Sequence, residues 1–300
     1  MISLMKNFMK LEPVGENSFR VTELRGGLRN STTVYGGQLV GQAMAAAIKT
    51  APEGFYAHSF HSHFLQTGDT KKPLQYDVEH LRDGMSTSAR HVKASQDGTI
   101  VFGAQVSLCT SKAVTNALTH QAKMPDVPLP DDLPDAETIL NDLLESNTLN
   151  EEQTKFIRFR IQNVPESFIT RPVNRAAWER LRPTPPKYAV WMKLKERIED
   201  TPTTHHCIAA YISDSAMVST GLLPHLKEGE NMYTKVLMFS LDHSIWIHRP
   251  DFRVDEWLLY ELESTVADNN RAMILGKMWT LDGRHVMSTA QEGLIRPLTK

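Results

Sequence analysis

The chain has 300 residues, of which 41% are hydrophobic and 23% charged, and its formal net charge is −2. These values are typical of a globular protein with one large domain or two of about 150 residues, and they argue against a nucleic-acid partner. Cys109 and Cys207 lie in apolar segments, which favours a reducing intracellular compartment over a disulfide framework. No apolar run approaches the roughly 18 residues of a membrane helix, and Met1–Lys10 lacks a signal-peptide core.

The first half of the chain predicts a hairpin, one buried helix rich in small residues, and four antiparallel strands. The hairpin joins Asn7–Glu12 to Ser18–Leu24, and the helix spans Gly36–Ile48 before Pro52. The predicted strands are His58–Gln66, Leu74–Leu81, Met85–Ser95 and Thr99–Leu108, separated by hairpin-turn sequences. The Gly36-Gly37 pair favours close packing, although it could also direct bare N–H groups at an anion.

Between residues 110 and 186 the composition changes to prolines and acidic residues, which indicates an exposed linker. Weak helical periodicity with alternating charge predicts one solvated helix over Thr138–Arg160. Phe168–Trp178 and Tyr188–Leu194 are predicted strands of a second unit. We therefore divide the chain into an N-terminal module (1–112), a linker with a solvated helix (113–165) and a C-terminal module (166–300).

The second half predicts a helix over His205–Leu223 that is apolar or small on almost every side and is therefore buried. Its one carboxylate, Asp214, shares a face with apolar neighbours, where it costs several kcal/mol unless it is paired. In an arbitrary helix such an acid is more often structural than catalytic. The strands that follow are Val236–His248, Glu256–Glu263, Ala272–Thr280 and Val286–Ile295.

The order of elements repeats, and so does their register. His58-Ser59 matches His243-Ser244 at an offset of 185 residues, and Asp97-Gly98 matches Asp282-Gly283 at the same offset. Self-similarity at a fixed offset predicts two copies of one module, in each of which a sheet wraps a central helix. We expect the two sheets to join into one.

Several long strings, taken in order, resemble the TesB-type acyl-CoA thioesterases (thioesterase II). In the first half they are HSFHSHFL at 58–65, GD at 68–69, YDVE at 76–79 and LRDG at 81–84. In the second half they are YISD at 211–214, LDHSIWIHRP at 241–250, EWLLY at 256–260 and QEGLIR at 291–296. The resemblance implies an α+β double hotdog, that is, two helix-wrapped antiparallel-sheet modules in one chain that hydrolyses fatty acyl-CoA.

The resemblance also implies the site residues. The family's catalytic Asp, hydroxyl residue and Gln fall on Asp214, Ser240 and Gln291, with Ser where some relatives have Thr. It implies a homodimer or homotetramer. No cofactor, nucleic-acid partner or membrane insertion is predicted. Relatives are often peroxisomal, but the Leu298-Thr299-Lys300 tail does not match a peroxisomal signal, so the peroxisomal matrix and the cytosol both stay open.

Thioester hydrolysis needs an activated water and a stabilised oxyanion. Asp214 can act as general base, while Ser240 and Gln291 fix the water by hydrogen bonds. The oxyanion donors are either backbone N–H groups at a helix start or the Gln291 amide. No Gly-x-Ser-x-Gly elbow occurs, which argues against a nucleophilic serine. The first module has Gly41 and Gln42 but no acid in its helix, so we expect one active site per chain.

The histidines are interpreted as packing residues. His61 and His63 share a strand face but have no acidic or cysteine partners nearby, so no metal site is predicted. His205-His206 is read as a polar pair at a helix start. Strict alternation sends His243 to the face opposite Ser240, which argues against a Ser–His dyad.

Two other functions compete with the thioesterase. A hotdog enoyl-CoA hydratase or dehydratase would place a histidine within reach of Asp214. A non-catalytic acyl-CoA-binding protein would not need the set of Asp214, Ser240 and Gln291.

Overall fold

The computed structural model describes residues 10–27, 31–110, 117–198 and 201–298. The predicted first strand, Asn7–Glu12, lies partly outside these residues. The residues before Lys10 and the last two residues of the tail lie wholly outside them. None of the described helices is long and apolar enough to cross a membrane.

Within the described residues the strands form one sheet of thirteen. They are β1 (Glu12–Gly15), β2 (Ser18–Val21), β3 (Phe55–Phe64), β4 (Leu74–Asp83), β5 (Thr87–Gln96), β6 (Thr99–Thr110), β7 (Phe168–Pro172), β8 (Lys187–Leu194), β9 (Val236–Ser240), β10 (Asp242–Ile247), β11 (Leu258–Asp268), β12 (Arg271–Thr280) and β13 (His285–Pro297). Their order is β1-β2-β4-β5-β6-β3-β10-β13-β12-β11-β8-β7, and β9 pairs with β13.

The α-helices of the described ranges fall in two parts of the chain. The first lies between β2 and β3, and the others lie between β6 and β9. They are α1 (Gly36–Lys49), α2 (Ala136–Glu145), α3 (Glu151–Gln162), α4 (Arg175–Glu179), α5 (Pro202–Ser213) and α6 (Met217–Leu222).

The two halves join where β3 pairs with β10 in antiparallel register. Phe60 pairs with Ile245, and these two residues are equivalent at the offset of 185 found in the sequence. On either side, Ser59 pairs with Trp246 and His61 pairs with Ser244. At the same offset Ser59 is equivalent to Ser244 and His61 to Trp246, so the two pairs are related by a local two-fold axis. The joined sheet predicted from the repeat is therefore confirmed.

The sheet curves around α1 and α5, which pack against each other. Small side chains allow this close approach: Ala43, Ala46, Ala209 and Ala210 are all fully buried. The predicted helix over Gly36–Ile48 is confirmed, with its end at Lys49.

Three predicted elements differ from the structure because each is broken in the middle. The helix predicted over His205–Leu223 is two helices, because the first ends at Ser213 with Asp214 as its C-cap and Ala216 has a positive φ of 65°. The strand predicted over Val236–His248 is interrupted at Leu241. The strand predicted over Phe168–Trp178 ends at Pro172, and α4 follows it.

The solvated helix predicted for the linker is wrong in two respects. The segment forms α2 and α3, each started by a side-chain cap from Asp135 or Asn150. It also buries its apolar face, since Ile139, Leu140 and Ile157 are inaccessible to solvent. The module boundaries at 112 and 165 stay a prediction.

Candidate active site

Asp214 lies at the end of α5, where the buried helix stops. It is the C-cap residue, and Ala216 then adopts the left-handed conformation before α6 begins. That conformation is costly for a residue with a Cβ and marks a locally constrained backbone. The break places the carboxylate, which is half-buried, at the tip of the helix rather than on its side.

The three residues implied by the resemblance meet at one carboxylate oxygen. Gln291 Nε2 donates to Asp214 Oδ1 at 2.7 Å, and Ser240 Oγ donates to the same oxygen at 3.3 Å. Ser240 ends β9, and its partner across the ladder is Gly293, two residues after Gln291 on β13. Because side chains alternate along a strand, Gln291 and position 293 face the helix together.

The start of α1 completes the surroundings of the acid. The Gly37 N–H donates to the Asp214 carboxylate, as expected of an anion at the positive end of a helix. A Cβ at Gly36 would lie 2.8 Å from Asp214 Oδ2, and one at Gly37 would lie 2.2 Å from the Tyr211 carbonyl oxygen. The two glycines therefore serve both close packing, which the sequence favoured, and anion binding, which it left open.

The electrostatics of Asp214 are those of a carboxylate made more basic by its surroundings. Burial raises its pKa, and the hydrogen bonds from Gln291, Ser240 and the Gly37 N–H oppose that rise without cancelling it. A raised pKa makes the carboxylate a better proton acceptor while the three donors hold it in place.

His243 is the site residue that the sequence analysis missed. The break at Leu241 shifts the alternation, because the Leu241 N–H donates to the Glu292 carbonyl and the Glu292 N–H donates to Asp242 Oδ1. His243 consequently faces the helix, with Nδ1 3.1 Å from Gln291 Nε2 and Nε2 2.8 Å from Ser213 Oγ. The prediction that it lies on the opposite face is wrong, although it forms no bond to Ser240.

Two cavities open beside Asp214. The first, about 520 Å³, is lined by polar and aromatic residues that include Arg25, Phe168, Thr170 and Tyr211. The second, about 540 Å³, is more apolar; its lining includes Phe64, Leu65, Met238, Phe239 and Leu294. Both are lined by Tyr35 and Asp214, so the carboxylate stands where the two meet.

His61, His205 and His206 each have a hydrogen-bond partner within the described residues. His61 is exposed, with Nδ1 3.1 Å from Ser244 Oγ, and His63 is exposed as well. His205 Nδ1 accepts from the Val254 N–H, and His206 Nε2 donates to the Pro250 carbonyl. Within the described ranges, no group of three or more His, Cys, Asp or Glu is placed to hold a metal ion.

The two halves of the chain match two family models. Residues 24–109 match the acyl-CoA thioesterase N-terminal domain, and residues 130–295 match the acyl-CoA thioesterase C-terminal domain.

Two similar proteins are also named acyl-CoA thioesterases. The chain is 39% identical to human acyl-coenzyme A thioesterase 8, over 98% of this chain and 89% of that protein. It is 34% identical to acyl-CoA thioesterase 2 of Haemophilus influenzae, over 97% of this chain and 96% of that protein.

Solved structures agree on the fold. The acyl-CoA thioesterase II TesB2 of Mycobacterium marinum aligns with a TM-score of 0.76 at 30% identity, over 98% of both chains. A hot dog fold protein of Alicyclobacillus acidocaldarius aligns with a TM-score of 0.74 at 17% identity, over 100% of both chains, which bears on the fold alone. The predicted α+β double hotdog is confirmed.

Proposed function

This chain belongs to the acyl-CoA thioesterase family, and we propose that it hydrolyses fatty acyl-CoA to the free fatty acid and CoA at Asp214. One observation carries the proposal: Gln291, Ser240 and the Gly37 N–H all donate to a single half-buried carboxylate of raised pKa. That carboxylate lies where two cavities meet, so a thioester can reach it with its acyl chain on one side and CoA on the other.

The reaction follows from what these groups can do. Asp214 takes a proton from a water molecule as the water oxygen attacks the thioester carbonyl carbon. The C–S bond then breaks, the electron pair leaves with the CoA sulfur, and the proton returns from Asp214 to that thiolate. Ser240 and Gln291 fix the acid and the water in the attacking geometry, which lowers the entropic part of the barrier.

The geometry favours one of the two oxyanion donors left open by the sequence. The Gln291 amide nitrogen has two hydrogens, and both are used, toward Asp214 and toward His243. The amide is therefore not free to donate to an oxyanion. The Gly36 N–H at the start of α1 makes no backbone–backbone hydrogen bond within the described residues, and Gly36 lines the second cavity. We assign the oxyanion to this N–H, where the helix dipole adds to the stabilisation.

The alternatives are weaker on the same geometry. A hydratase or dehydratase would need a histidine at the acid, and no described histidine is hydrogen-bonded to Asp214; His243 lies behind Gln291 instead. A binding protein would not need a carboxylate of raised pKa held by three donors.

The direct test is the release of CoA from palmitoyl-CoA, followed with a thiol reagent. Hydration of an enoyl-CoA without CoA release would favour the first alternative, and binding of acyl-CoA without turnover the second.

Substitutions at Ser240 test its role as a hydroxyl donor. Ser240→Ala removes the hydrogen bond to Asp214 and should lower kcat by about tenfold, within the usual range for a positioning contact. Ser240→Thr keeps the hydroxyl and should retain most of the wild-type kcat. Steady-state CoA release from both variants makes the comparison. A nearly inactive Thr variant beside an active Ala variant would contradict a positioning role for the hydroxyl.

The pH dependence of kcat/KM follows from the raised pKa of Asp214. The base works only when ionised, so kcat/KM should fall as the pH falls through a pKa above the usual value of about 3.9 for an aspartate. Ser240→Ala removes a hydrogen bond that favours the anion, and it should move this acid limb to higher pH. An acid limb at or below the usual aspartate value, or one that moves down in the variant, would contradict the assignment.

Two further parts of the assignment stay proposals. We propose an intracellular compartment, either the peroxisomal matrix or the cytosol, which is consistent with Cys109 and Cys207 being free thiols. The homodimer or homotetramer implied by the family resemblance stays a prediction, as does the single active site per chain.

A further inference from the structure

The buried imidazole of His243 uses both ring nitrogens in hydrogen bonds to the active site. Its side chain is completely inaccessible to solvent. Nδ1 lies 3.1 Å from Gln291 Nε2, and Nε2 lies 2.8 Å from Ser213 Oγ. Ser213 immediately precedes Asp214, so this path leaves the acid through Gln291 and returns to the adjacent residue of the chain.

The donors and acceptors along this path can be assigned one after another. Ionised Asp214 can only accept, so the group of Gln291 that faces it at 2.7 Å is the amide nitrogen. An amide nitrogen cannot accept, so His243 Nδ1 accepts from it, and the neutral ring carries its hydrogen on Nε2. That N–H donates to Ser213 Oγ, whose own hydrogen goes to the Ala210 carbonyl at 2.8 Å. The direction of any one of these hydrogen bonds therefore cannot change unless the directions of the others change with it.

We propose that His243 is a positioning residue of the hydrolysis: as the Nε2–H tautomer held by Ser213, it fixes the orientation of the Gln291 amide. The inference rests on the proposed function, because it gives the amide of Gln291 a task at Asp214. With both hydrogens of the amide nitrogen occupied, the amide cannot turn over without losing two acceptors.

The fixed orientation leaves the other end of the amide without a hydrogen bond. Gln291 Oε1 is buried and has no hydrogen-bond partner among the described residues. Leaving a buried acceptor unsatisfied is unfavourable, so the amide keeps this orientation only because Asp214 and His243 both accept from its nitrogen.

His243 acts through Gln291 and not on the substrate. Burial lowers the pKa of its imidazole to about 3, so the ring stays neutral at physiological pH and remains able to accept at Nδ1. A charged ring would donate from both nitrogens and would turn the oxygen of the Gln291 amide toward itself.

Two substitutions separate the acceptor from mere packing. His243→Leu fills the space but offers no acceptor, and it should lower kcat by about ten- to a hundred-fold with KM little changed. His243→Asn places an amide oxygen near the Nδ1 position and should recover much of that loss. Equal kcat values in the Leu variant and the wild type would overturn the inference, as would an Asn variant no better than the Leu variant.

A double-mutant cycle provides the readout that a purely structural role would not change. In a Gln291→Ala background the amide is gone, so His243→Leu should cause little further loss of kcat, because the two residues act as a unit. Losses that multiply in the double variant would show that His243 acts independently of Gln291 and would overturn the inference.

The tautomer can be measured on the unaltered enzyme, which keeps the test valid even where the variants do not fold. Long-range ¹⁵N–¹H correlation spectra of histidine-labelled protein near pH 7 should show the His243 ring, identified by sequence-specific assignment, as neutral with its hydrogen on Nε2. An Nδ1–H tautomer or an imidazolium would overturn the inference and leave the proposed function intact. An Asp214 variant with full activity would instead defeat the proposed function without changing the tautomer.

Discussion

Replacement of Asp214 by Asn is expected to lower kcat by roughly a hundred-fold or more, the range for loss of a general base. The amide keeps the size of the side chain, and its oxygen can still accept from Gln291 and Ser240, but it cannot take a proton from water. KM should change little, because the carboxylate meets the water and not CoA. Steady-state release of CoA from palmitoyl-CoA measures both constants.

Asp251→Asn is the matched control for this substitution. Asp251 is an exposed carboxylate whose Oδ2 accepts from Arg284 Nη1 at 2.7 Å, and it lines neither cavity. Exposed ion pairs contribute little to stability, so this variant should keep wild-type kinetics. An Asp214→Asn variant as active as Asp251→Asn would remove the acid from the mechanism.

Gly37→Ala is expected to have the second-largest effect, on kcat and on stability together. Its Cβ would lie 2.2 Å from the Tyr211 carbonyl oxygen and 2.5 Å from the Tyr35 ring. The start of α1 would have to retreat, which withdraws the Gly37 N–H from Asp214 and displaces the Gly36 N–H. Displacements of about 1 Å cost on the order of a hundred-fold in rate, and overpacking costs about 1–3 kcal/mol of unfolding free energy.

Gly103→Ala controls for the loss of a glycine. A Cβ at Gly103, on β6, would meet nothing within 4 Å. Alanine also restricts the unfolded chain more than glycine does, so stability should be unchanged or slightly higher. Urea unfolding and steady-state CoA release compare the two variants. A Gly37→Ala variant that matched Gly103→Ala in both would contradict the close approach of α1 to Asp214.

The sequence predicted the parts of the fold that depend on pattern. The 185-residue offset predicted two modules and the continuous sheet, which the pairing of Phe60 with Ile245 confirms. The helix at Gly36 was predicted nearly to its end, because small residues recur along it and Pro52 follows it. The candidate site was named by resemblance, and the structure brings Asp214, Ser240 and Gln291 together.

The parts that the sequence could not predict depend on local breaks in regular geometry. The end of α5 at Asp214 is set by Ala216 at a positive φ, which no glycine signals. The interruption at Leu241 carries His243 to the helix side of the sheet, and alternation alone predicts the opposite. The linker helices bury Ile139 and Ile157, although the surrounding charges suggested a solvated surface. In each case tertiary contacts outweigh the local pattern.

The central claim is that water attacks the thioester directly, with Asp214 as base and Ser240 as a positioning hydroxyl. Pre-steady-state rapid-quench kinetics in ¹⁸O-water, with substrate in excess over enzyme, test it most directly, with mass spectrometry of the fatty acid and of the protein. We expect one ¹⁸O atom in the released fatty acid, no burst of CoA and no acyl group on the protein at any time. An acyl group trapped on Ser240 or Asp214, formed and lost at the rate of turnover, would contradict direct attack and establish a covalent intermediate.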